Sequence, residues 1–293
     1  MPQPLSLRSP AAPALTPRAI LLFDIDGVIR DVAGSYRRAI VETVHHYSGW
    51  RPEAAAIDAL KSEGCWNNDW QASLELLRRH RAASPAEPAW SLPAYGELVE
   101  VFGGFYFGGD PEGDPRQWRG FIGSEPLLVE RPFFESLSRA GIAWGFVSGA
   151  EPPSARYVLN QRLGLEEAPL IAMGEAPEKP DPTGLLRLAG ALAGGPLGPG
   201  APPVAYLGDT VADVLTVVRA REACPGQPLF SLAVAPPHLQ GQGQEQNRLR
   251  YEQNLRAAGA EWILPCTAAL APEPLLEWLE GGGAFSAPSP RGS

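Results

Sequence analysis

The chain reads Ala19-Ile20-Leu21-Leu22-Phe23-Asp24-Ile25-Asp26-Gly27-Val28 close to its first residue, an apolar run that stops at two aspartates one residue apart. An apolar run of about four to eight residues is typical of a strand buried in a parallel sheet. In open parallel sheets, ligands bind beyond the carboxyl ends of the strands. The stretch therefore predicts a buried strand with Asp24 and Asp26 at the functional edge of the sheet.

The two aspartates are expected to act on one small volume. Side chains alternate between the faces of a strand, so Asp24 and Asp26 project the same way and Ile25 projects into packing. Two carboxylates at close range repel each other unless a cation lies between them, and a hard divalent ion such as Mg²⁺ is the natural partner. The alternative is a solvated turn in which Asp26-Gly27 supplies turn chemistry.

A second acidic pair follows another strand-like run, residues 203–208, and leads into a helical pattern. Asp209 and Asp213 are four residues apart, so both lie on one face if a helix begins between them. That spacing allows both carboxylates to reach a single ion. The alternative is a helix-capping aspartate followed by a first-turn acid that the helix dipole favours.

Two further landmarks lie between these acidic pairs. The run 142–147 ends at Ser148-Gly149, and a helical pattern follows at 154–163. A hydroxyl and free backbone N–H groups at a helix entrance suit an anion, although a serine there is also a common helix cap. Lys179 opens the helical stretch 183–193 and would bring a compact positive charge to the site. Taken alone, Lys179 also fits an ordinary surface lysine.

Together the four motifs are Asp24-Ile-Asp26-Gly-Val, Ser148-Gly149, Lys179-Pro180 and Gly208-Asp209-x-x-x-Asp213. In order and context they resemble the motifs of the haloacid dehalogenase superfamily, from about residue 19 to about residue 280. The closest likeness is to the phosphoglycolate-phosphatase-like branch of subfamily IA, whose cap is inserted just after the first motif. The resemblance implies an α/β fold: a doubly wound, Rossmann-like parallel sheet with an inserted α-helical cap domain.

The resemblance also implies roles for the motif residues. Asp24 is the expected nucleophile and Asp26 the general acid and base, while Ser148, Gly149 and Lys179 hold the phosphoryl group. The expected Mg²⁺ ligands are Asp24, the backbone carbonyl of Asp26, Asp209, and Asp213 as an additional or outer ligand.

Within the superfamily, Asp26 argues for phosphoryl transfer over dehalogenation, because a halide leaving group needs no proton. Phosphonatases form a Schiff base with a cap lysine, for which only Lys61 is available, and this reading is disfavoured.

Composition limits the remaining function classes. The chain has 293 residues, a net charge of −9 and a pI near 5.1, which argues against nucleic-acid binding because that needs a basic face. Three widely spaced cysteines, Cys65, Cys224 and Cys266, indicate reduced thiols in a cytoplasmic protein. No stretch approaches the ~20 apolar residues of a membrane span, and residues 1–18 lack the apolar core of a signal peptide.

The chain divides on this reading into two ordered domains and two disordered ends. The core domain takes residues 19–32 and 127–280, where apolar runs and helical patterns alternate as in a parallel α/β sheet. Residues 33–126 carry helical patterns at 35–47, 52–62, 69–81 and 94–105, which we expect to form the cap. The leader 1–18 and the tail 281–293 are rich in small residues and proline and are expected to be disordered. The Gln-rich segment 241–253 is expected to be a solvated surface helix. The less favoured alternative is a segment that protrudes from the core and binds a partner.

The cap should select the substrate, but its signals are weaker. Arg37 on the first cap helix suits bidentate recognition of a second anionic group, or is a solvated surface arginine. Asn68, in the polar and aromatic segment 64–70, would contact the leaving group or cap a helix. The predicted function is a Mg²⁺-dependent phosphatase of a small phosphorylated metabolite, acting as a monomer or homodimer. The alternatives are a phosphoglucomutase-like phosphotransferase and a non-catalytic binding or regulatory protein.

Overall fold

The structure, a computed structural model, describes residues 16–61, 63, 66, 68–83 and 90–284. Most of the predicted disordered leader and tail, together with Gly64, Cys65 and Asn67 of the cap segment, lies outside these residues. Cys224 and Cys266 carry free thiols, as predicted.

Six strands form one sheet in which every neighbouring pair is parallel. The strands are β1 Ala19–Phe23, β2 Ile142–Val147, β3 Leu170–Ile171, β4 Val204–Gly208, β5 Leu229–Val234 and β6 Trp262–Leu264. Their order across the sheet is β3-β2-β1-β4-β5-β6, so the first strand is central and the chain winds outward from it in both directions. This is the doubly wound parallel sheet that the sequence predicts.

Helices cover both faces of the sheet. They are α5 Arg131–Arg139, α6 Pro152–Arg156, α7 Thr183–Ala193, α8 Val211–Ala223, α9 Glu245–Ala258 and α10 Pro272–Glu280, which follow four helices described below. Leu21 and Phe23 pack with Phe134 of α5 on one face, and Ile20 packs with Leu185 of α7 on the other. Because both faces are covered, every side chain of β1 is fully buried, which explains why the strand is apolar without alternation.

Four helices lie between β1 and α5 in the sequence. They are α1 Tyr36–Ser48, α2 Ala54–Lys61, α3 Asp69–Ala83 and α4 Tyr95–Tyr106, within about two residues of the predicted patterns. Their buried apolar side chains form a cluster of their own, which includes Ile40, Leu77 and Phe102. An inserted helical unit with a separate core agrees with the predicted cap, whose limits at residues 33 and 126 stay predictions.

Two segments differ in detail from the sequence expectation. The predicted helix 154–163 begins two residues earlier, because Pro152 at the first helical position has its φ already fixed for a helix, and it continues as a wider π-helical turn over Tyr157–Arg162. The Gln-rich segment forms α9 as a surface helix with one buried edge at Leu255. Among the described residues, no helix combines the length and the apolar character that a membrane crossing requires.

Truncation of a central strand side chain tests this packing. Leu21→Ala removes a fully buried side chain between the sheet and its helices, and we expect it to lower the free energy of unfolding by about 2–5 kcal/mol. Urea denaturation followed by circular dichroism measures the change. The matched control is Leu249→Ala on α9, a leucine 57% exposed, which should stay within about 0.5 kcal/mol of the wild type. Equal effects at both positions would contradict this account of the core.

Candidate active site

The parallel sheet brings the sequence motifs to one edge. Phe23 pairs with Phe146 of β2 and with Leu207 of β4. Asp24, Ser148 and Asp209 therefore all follow the carboxyl ends of three adjacent strands. The strand order reverses at β1, and an open α/β sheet forms its binding crevice at such a point.

Three carboxylates lie together at this edge. Asp24, Asp209 and Asp213 each contribute an oxygen to a group whose members are all within 4.8 Å of one another, and all three residues are buried. The carboxylate of Asp26 is not a member of this group, and its side chain is partly exposed. The metal-binding role expected of the Asp26 backbone carbonyl stays a prediction.

Two glycines allow the carboxylates to approach the backbone so closely. Gly27 has a φ of 76°, and a Cβ there would lie 2.0 Å from Oδ2 of Asp209. A Cβ at Gly208 would lie 2.2 Å from the Cβ of Asp213. Only glycine fits at either position without moving an aspartate of the cluster, which gives a physical reason for the Asp-Gly and Gly-Asp pairs of the sequence.

Lys179 supplies the positive charge within the cluster. Its Nζ lies 2.6 Å from Oδ1 of Asp213, 3.1 Å from Oδ1 of Asp24 and 3.2 Å from the hydroxyl of Tyr206. Burial lowers the pKa of Lys179, but the carboxylates of Asp213 and Asp24 outweigh that effect and hold the pKa well above its ordinary value. The lysine is therefore a fixed cation beside the expected nucleophile and not a surface lysine.

Asp213 has both oxygens occupied by hydrogen bonds. Oδ1 accepts from Lys179 and from the Tyr206 hydroxyl at 3.0 Å, and Oδ2 accepts from the backbone N–H and the hydroxyl of Thr210 at 2.9 and 2.6 Å. Burial raises the pKa of Asp213, but Lys179 and these hydrogen bonds give a net lowering. Thr210, rather than Asp209, is the N-cap of α8, and Asp213 completes its capping box.

The pKa values of Asp24 and Asp209 are shifted upward, opposite to the shift of Asp213. Burial, aided by the neighbouring carboxylates and opposed by Lys179, raises the pKa of Asp24 to about 6 and that of Asp209 well above its ordinary value. Oδ1 of Asp24 is buried and accepts no hydrogen bond from the described part of the chain, since Lys179 lies nearby without hydrogen-bonding geometry. A buried carboxylate oxygen without a donor, among other carboxylates, fits a hard divalent cation.

The predicted phosphoryl-binding loop follows β2. Ser148 is buried, and its Oγ accepts a hydrogen bond from the backbone N–H of Ala150 at 3.1 Å. The carbonyl of Val147 accepts from the Tyr206 hydroxyl at 2.8 Å, which ties the end of β2 to the residue that also contacts Lys179. Gly149 is exposed beside them. The roles of Ser148 and Gly149 in phosphoryl binding stay predictions.

Asn68 and Arg37 are the two residues of the inserted segment that were predicted to contact the substrate. Oδ1 of Asn68 accepts from the backbone N–H groups of Trp70 and Gln71 at 3.0 and 3.1 Å, so Asn68 caps α3 as its structural alternative predicts. Arg37 lies half-buried in the first turn of α1. A substrate role for either residue stays a prediction.

Several residues of the site carry no motif signal. Tyr206 lies in the middle of β4, where the sequence indicates only a buried strand position. Tyr251 of α9 donates a hydrogen bond to the Asp209 backbone carbonyl at 2.8 Å, so a residue of the Gln-rich segment contacts the backbone of a cluster residue. A polar tip on an otherwise apolar strand was the one available sign for Tyr206. Nothing local indicates the contact of Tyr251.

Glu151 lies three residues after Ser148 and is half-buried. Burial raises the pKa of Glu151 to about 7; Arg30 opposes this shift, and Glu112 of the inserted segment adds to it. No motif in the sequence indicates a special role for this carboxylate. Near neutral pH it holds a proton for a large part of the time.

The chain is similar to known proteins in both sequence and fold. A family model for hydrolases, described as haloacid dehalogenase-like hydrolase, matches residues 19–221, which include all four motifs. A curated relative, the imidazoleglycerol-phosphate dehydratase of Phytophthora nicotianae, is 31% identical over 210 residues, which are 70% of this chain and 42% of that protein. The chain thus spans less than half of the length of this relative.

Solved structures share the architecture. Phosphatase Tt82 from Thermococcus thioreducens has a TM-score of 0.54 and 21% identity, over 81% of this chain and 99% of its own. A putative beta-phosphoglucomutase from Thermotoga maritima has a TM-score of 0.55 and 17% identity, over 90% and 99% of the two chains. At such low identity, both likenesses concern the fold alone.

The raised pKa of Glu151 predicts a pH-dependent cost in stability. A carboxyl whose pKa is higher in the folded than in the unfolded state stabilises the fold fully at low pH and loses that stabilisation as the pH rises from about 4.5 to about 7. Glu151→Gln cannot ionise, so its Tm should exceed that of the wild type by about 2 °C or more at pH 8, with a smaller difference at pH 5. The control is Glu166→Gln, an exposed position, which should show the same small difference at both pH values. A Tm gain of Glu151→Gln that does not depend on pH would contradict the prediction.

Proposed function

This chain belongs to the haloacid dehalogenase-like hydrolase family, and we propose from that premise that it is a Mg²⁺-dependent phosphatase of a small phosphorylated metabolite. The observation that carries the proposal is the position of Lys179 between Asp24 and Asp213 in a buried cluster of carboxylates. A phosphate monoester is an anion that repels a carboxylate nucleophile. A fixed cation beside Asp24 is what the attack requires.

The residues present fit a divalent metal. Asp24 and Asp209 would hold it through their carboxylates, with the backbone carbonyl of Asp26 as a third ligand. Asp213 would act as an outer ligand, because both of its oxygens already accept hydrogen bonds. When bound, Mg²⁺ neutralises the phosphoryl oxygens and supplies Lewis-acid stabilisation of the charge that develops on them.

Asp24 would perform the first chemical step. One of its carboxylate oxygens attacks phosphorus, the bond from phosphorus to the ester oxygen breaks, and an aspartyl-phosphate forms while the alcohol leaves. Lys179, protonated at neutral pH because its pKa is held high, would balance the phosphoryl charge. The hydroxyl of Ser148 would donate a hydrogen bond to the same group.

Asp26 would move the protons. As an acid it gives a proton to the departing alkoxide, and as a base it then takes a proton from the water that attacks the aspartyl-phosphate. That attack breaks the bond between phosphorus and the Asp24 oxygen, releases inorganic phosphate and restores both aspartates. Its partly exposed side chain, next to but outside the carboxylate cluster, suits an exchange of protons with bound substrate and water.

A phosphotransferase is the second candidate. The structural likeness to a putative beta-phosphoglucomutase concerns the fold, and the same Asp24, Asp26 and Lys179 would serve a reaction in which a sugar hydroxyl replaces water as the acceptor. Incubation with a hexose phosphate and analysis by ³¹P NMR separates the two. Inorganic phosphate as the main product supports the phosphatase, whereas an isomeric hexose phosphate supports the transferase. A non-catalytic binding role is disfavoured because all of the predicted catalytic residues are present.

The substrate class follows from the phosphoryl chemistry, and the cap is expected to choose among substrates. The name of the curated relative supplies one compound for the substrate panel, imidazoleglycerol phosphate. The panel should also hold phosphoglycolate and phosphorylated sugars and alcohols. We infer a cytoplasmic setting from the free thiols of Cys224 and Cys266.

Metal removal and nucleophile replacement test the proposal. Phosphate release from the panel should require Mg²⁺, should stop on addition of EDTA and should return with excess Mg²⁺. Asp24→Asn keeps the shape of the side chain but removes the nucleophile, and its kcat should fall by about 10³-fold or more. Asp110→Asn, an exposed aspartate of the inserted segment, is the matched control and should retain the wild-type rate. Release that survives both EDTA and Asp24→Asn would refute the mechanism.

A further inference from the structure

Arg30 is the largest charged side chain in the described interior. It is fully buried, and it donates three hydrogen bonds in different directions: from Nε to Oδ1 of Asp26 at 2.7 Å, from Nη1 to Oε2 of Glu125 at 2.8 Å, and from Nη2 to Oγ of Ser154 at 2.8 Å. Removing a guanidinium from water is costly unless partners satisfy it. Three acceptors satisfy this buried guanidinium, so the fold provides a specific site for the Arg30 side chain.

The two residues of the Arg30–Asp26 ion pair differ in their exposure to solvent. The side chain of Asp26 is 28% exposed, whereas those of Arg30 and Glu125 are essentially inaccessible. Arg30 therefore holds Asp26 from its buried side. Only Oδ1 of Asp26 takes part in this ion pair, and none of the described residues hydrogen-bonds Oδ2. The second oxygen is thus available for a leaving group or for water.

Glu125 connects this ion pair to the inserted helices. Its Oε1 accepts hydrogen bonds from the hydroxyl of Ser35 at 2.5 Å and from the hydroxyl of Tyr106 at 3.1 Å. Ser35 directly precedes α1, and Tyr106 is the last residue of α4. The carboxylate that holds one arm of Arg30 is therefore held in turn by a residue at the start of α1 and a residue at the end of α4.

Ser154 forms the second connection. Its Oγ contacts the hydroxyl of Tyr106 at 2.9 Å and that of Tyr36 at 3.4 Å, and the two tyrosine rings stack with centroids 4.2 Å apart. The carbon Cζ of Arg30 lies 5.7 Å from the centre of the Tyr36 ring. Two of the three partners of the guanidinium thus depend on hydroxyl groups carried by α1 and α4.

We propose that Arg30 is a positioning residue that orients Asp26 for proton transfer and makes this orientation depend on the seating of α1 and α4. The inference rests on the proposed function, because it assigns Asp26 the general acid and base role. A planar guanidinium can hold three acceptors at once in fixed directions, which a lysine ammonium on a flexible stem does less well. Displacement of the inserted helices removes the hydroxyls that fix Glu125 and Ser154. Arg30 would then no longer hold Asp26 in one orientation.

The dependence of the rate on the leaving group tests this role. p-Nitrophenyl phosphate releases a stable phenolate that needs little protonation, whereas β-glycerophosphate releases an alkoxide that needs a proton from Asp26. In Arg30→Met, kcat/KM for β-glycerophosphate should fall by about 10²-fold or more. With p-nitrophenyl phosphate, a burst of about one equivalent of nitrophenolate should precede slow turnover, because Asp26 also activates the water of the second step. Asp26→Asn should give the same pattern, and Arg30→Lys should fall between Arg30→Met and the wild type.

A second variant covers the case in which Arg30→Met fails to fold. Tyr106→Phe removes the hydroxyl that contacts Glu125 and Ser154 but keeps the stacked ring, and it touches neither Asp26 nor the cluster. It should raise the ratio of nitrophenolate burst rate to β-glycerophosphate turnover by about 3–10-fold, a smaller effect of the same kind. Tyr47→Phe on α1 is the matched control, because the Tyr47 hydroxyl takes part in none of the hydrogen bonds described above, and it should leave the ratio unchanged. Circular dichroism and Tm check that each variant is folded.

The outcomes separate this inference from the function on which it rests. A burst and a changed ratio in folded Arg30→Met, or in Tyr106→Phe, support the positioning role. If the wild type turns over but the folded variants slow both substrates by one common factor without a burst, Arg30 is only structural and the inference is overturned. If the wild type releases phosphate from neither substrate nor from any panel compound, the proposed function fails and the role of Arg30 fails with it.

Discussion

The repulsion among buried carboxylates is the constraint on which this structure depends. Asp24, Asp209 and Asp213 lie within 4.8 Å of one another away from water, where like charges are costly. Lys179 balances two of them, and the Thr210 cap and the Tyr206 hydroxyl stabilise the charged form of Asp213. Asp24 and Asp209 stay without comparable help. Burial raises the pKa of both residues, so a bound cation would favour their charged forms.

The sheet makes this concentration of charge possible. The side chains of β1 are apolar and buried on both faces as far as Phe23, and the polar residues begin only after the last paired residue of the strand. Helix α8 begins directly after Asp209 and uses Asp213 as part of its own cap. Fold stability and site chemistry therefore share residues. Asp213 both completes the capping box of a helix and holds Lys179 in place.

Sequence alone predicted the features that are local. Apolar runs indicated β1, β2 and β4, helical periodicity indicated α1 to α4, and the acids that follow strands indicated Asp24 and Asp209, whereas the two-residue strand β3 was not predicted. The missed residues depend on partners far away along the chain. Arg30 meets Glu125 and Ser154 only after the inserted segment has folded back, and Tyr251 reaches Asp209 from a helix whose composition indicates only a solvated surface. No short-range sequence pattern predicts these contacts, because they join residues that only the topology of the fold brings together.

The central position of β1 has a consequence for biosynthesis. Ile20 needs both Ala143 of β2 and Val204 of β4 as neighbours, so β1 stays incomplete after it leaves the ribosome until both of these later strands have followed. The contacts among α1, α3 and α4 are closer in sequence, and such local structure forms quickly. The inserted helices can therefore assemble while the apolar β1 still waits for its partners. During that interval an exposed strand of this kind invites aggregation or chaperone binding.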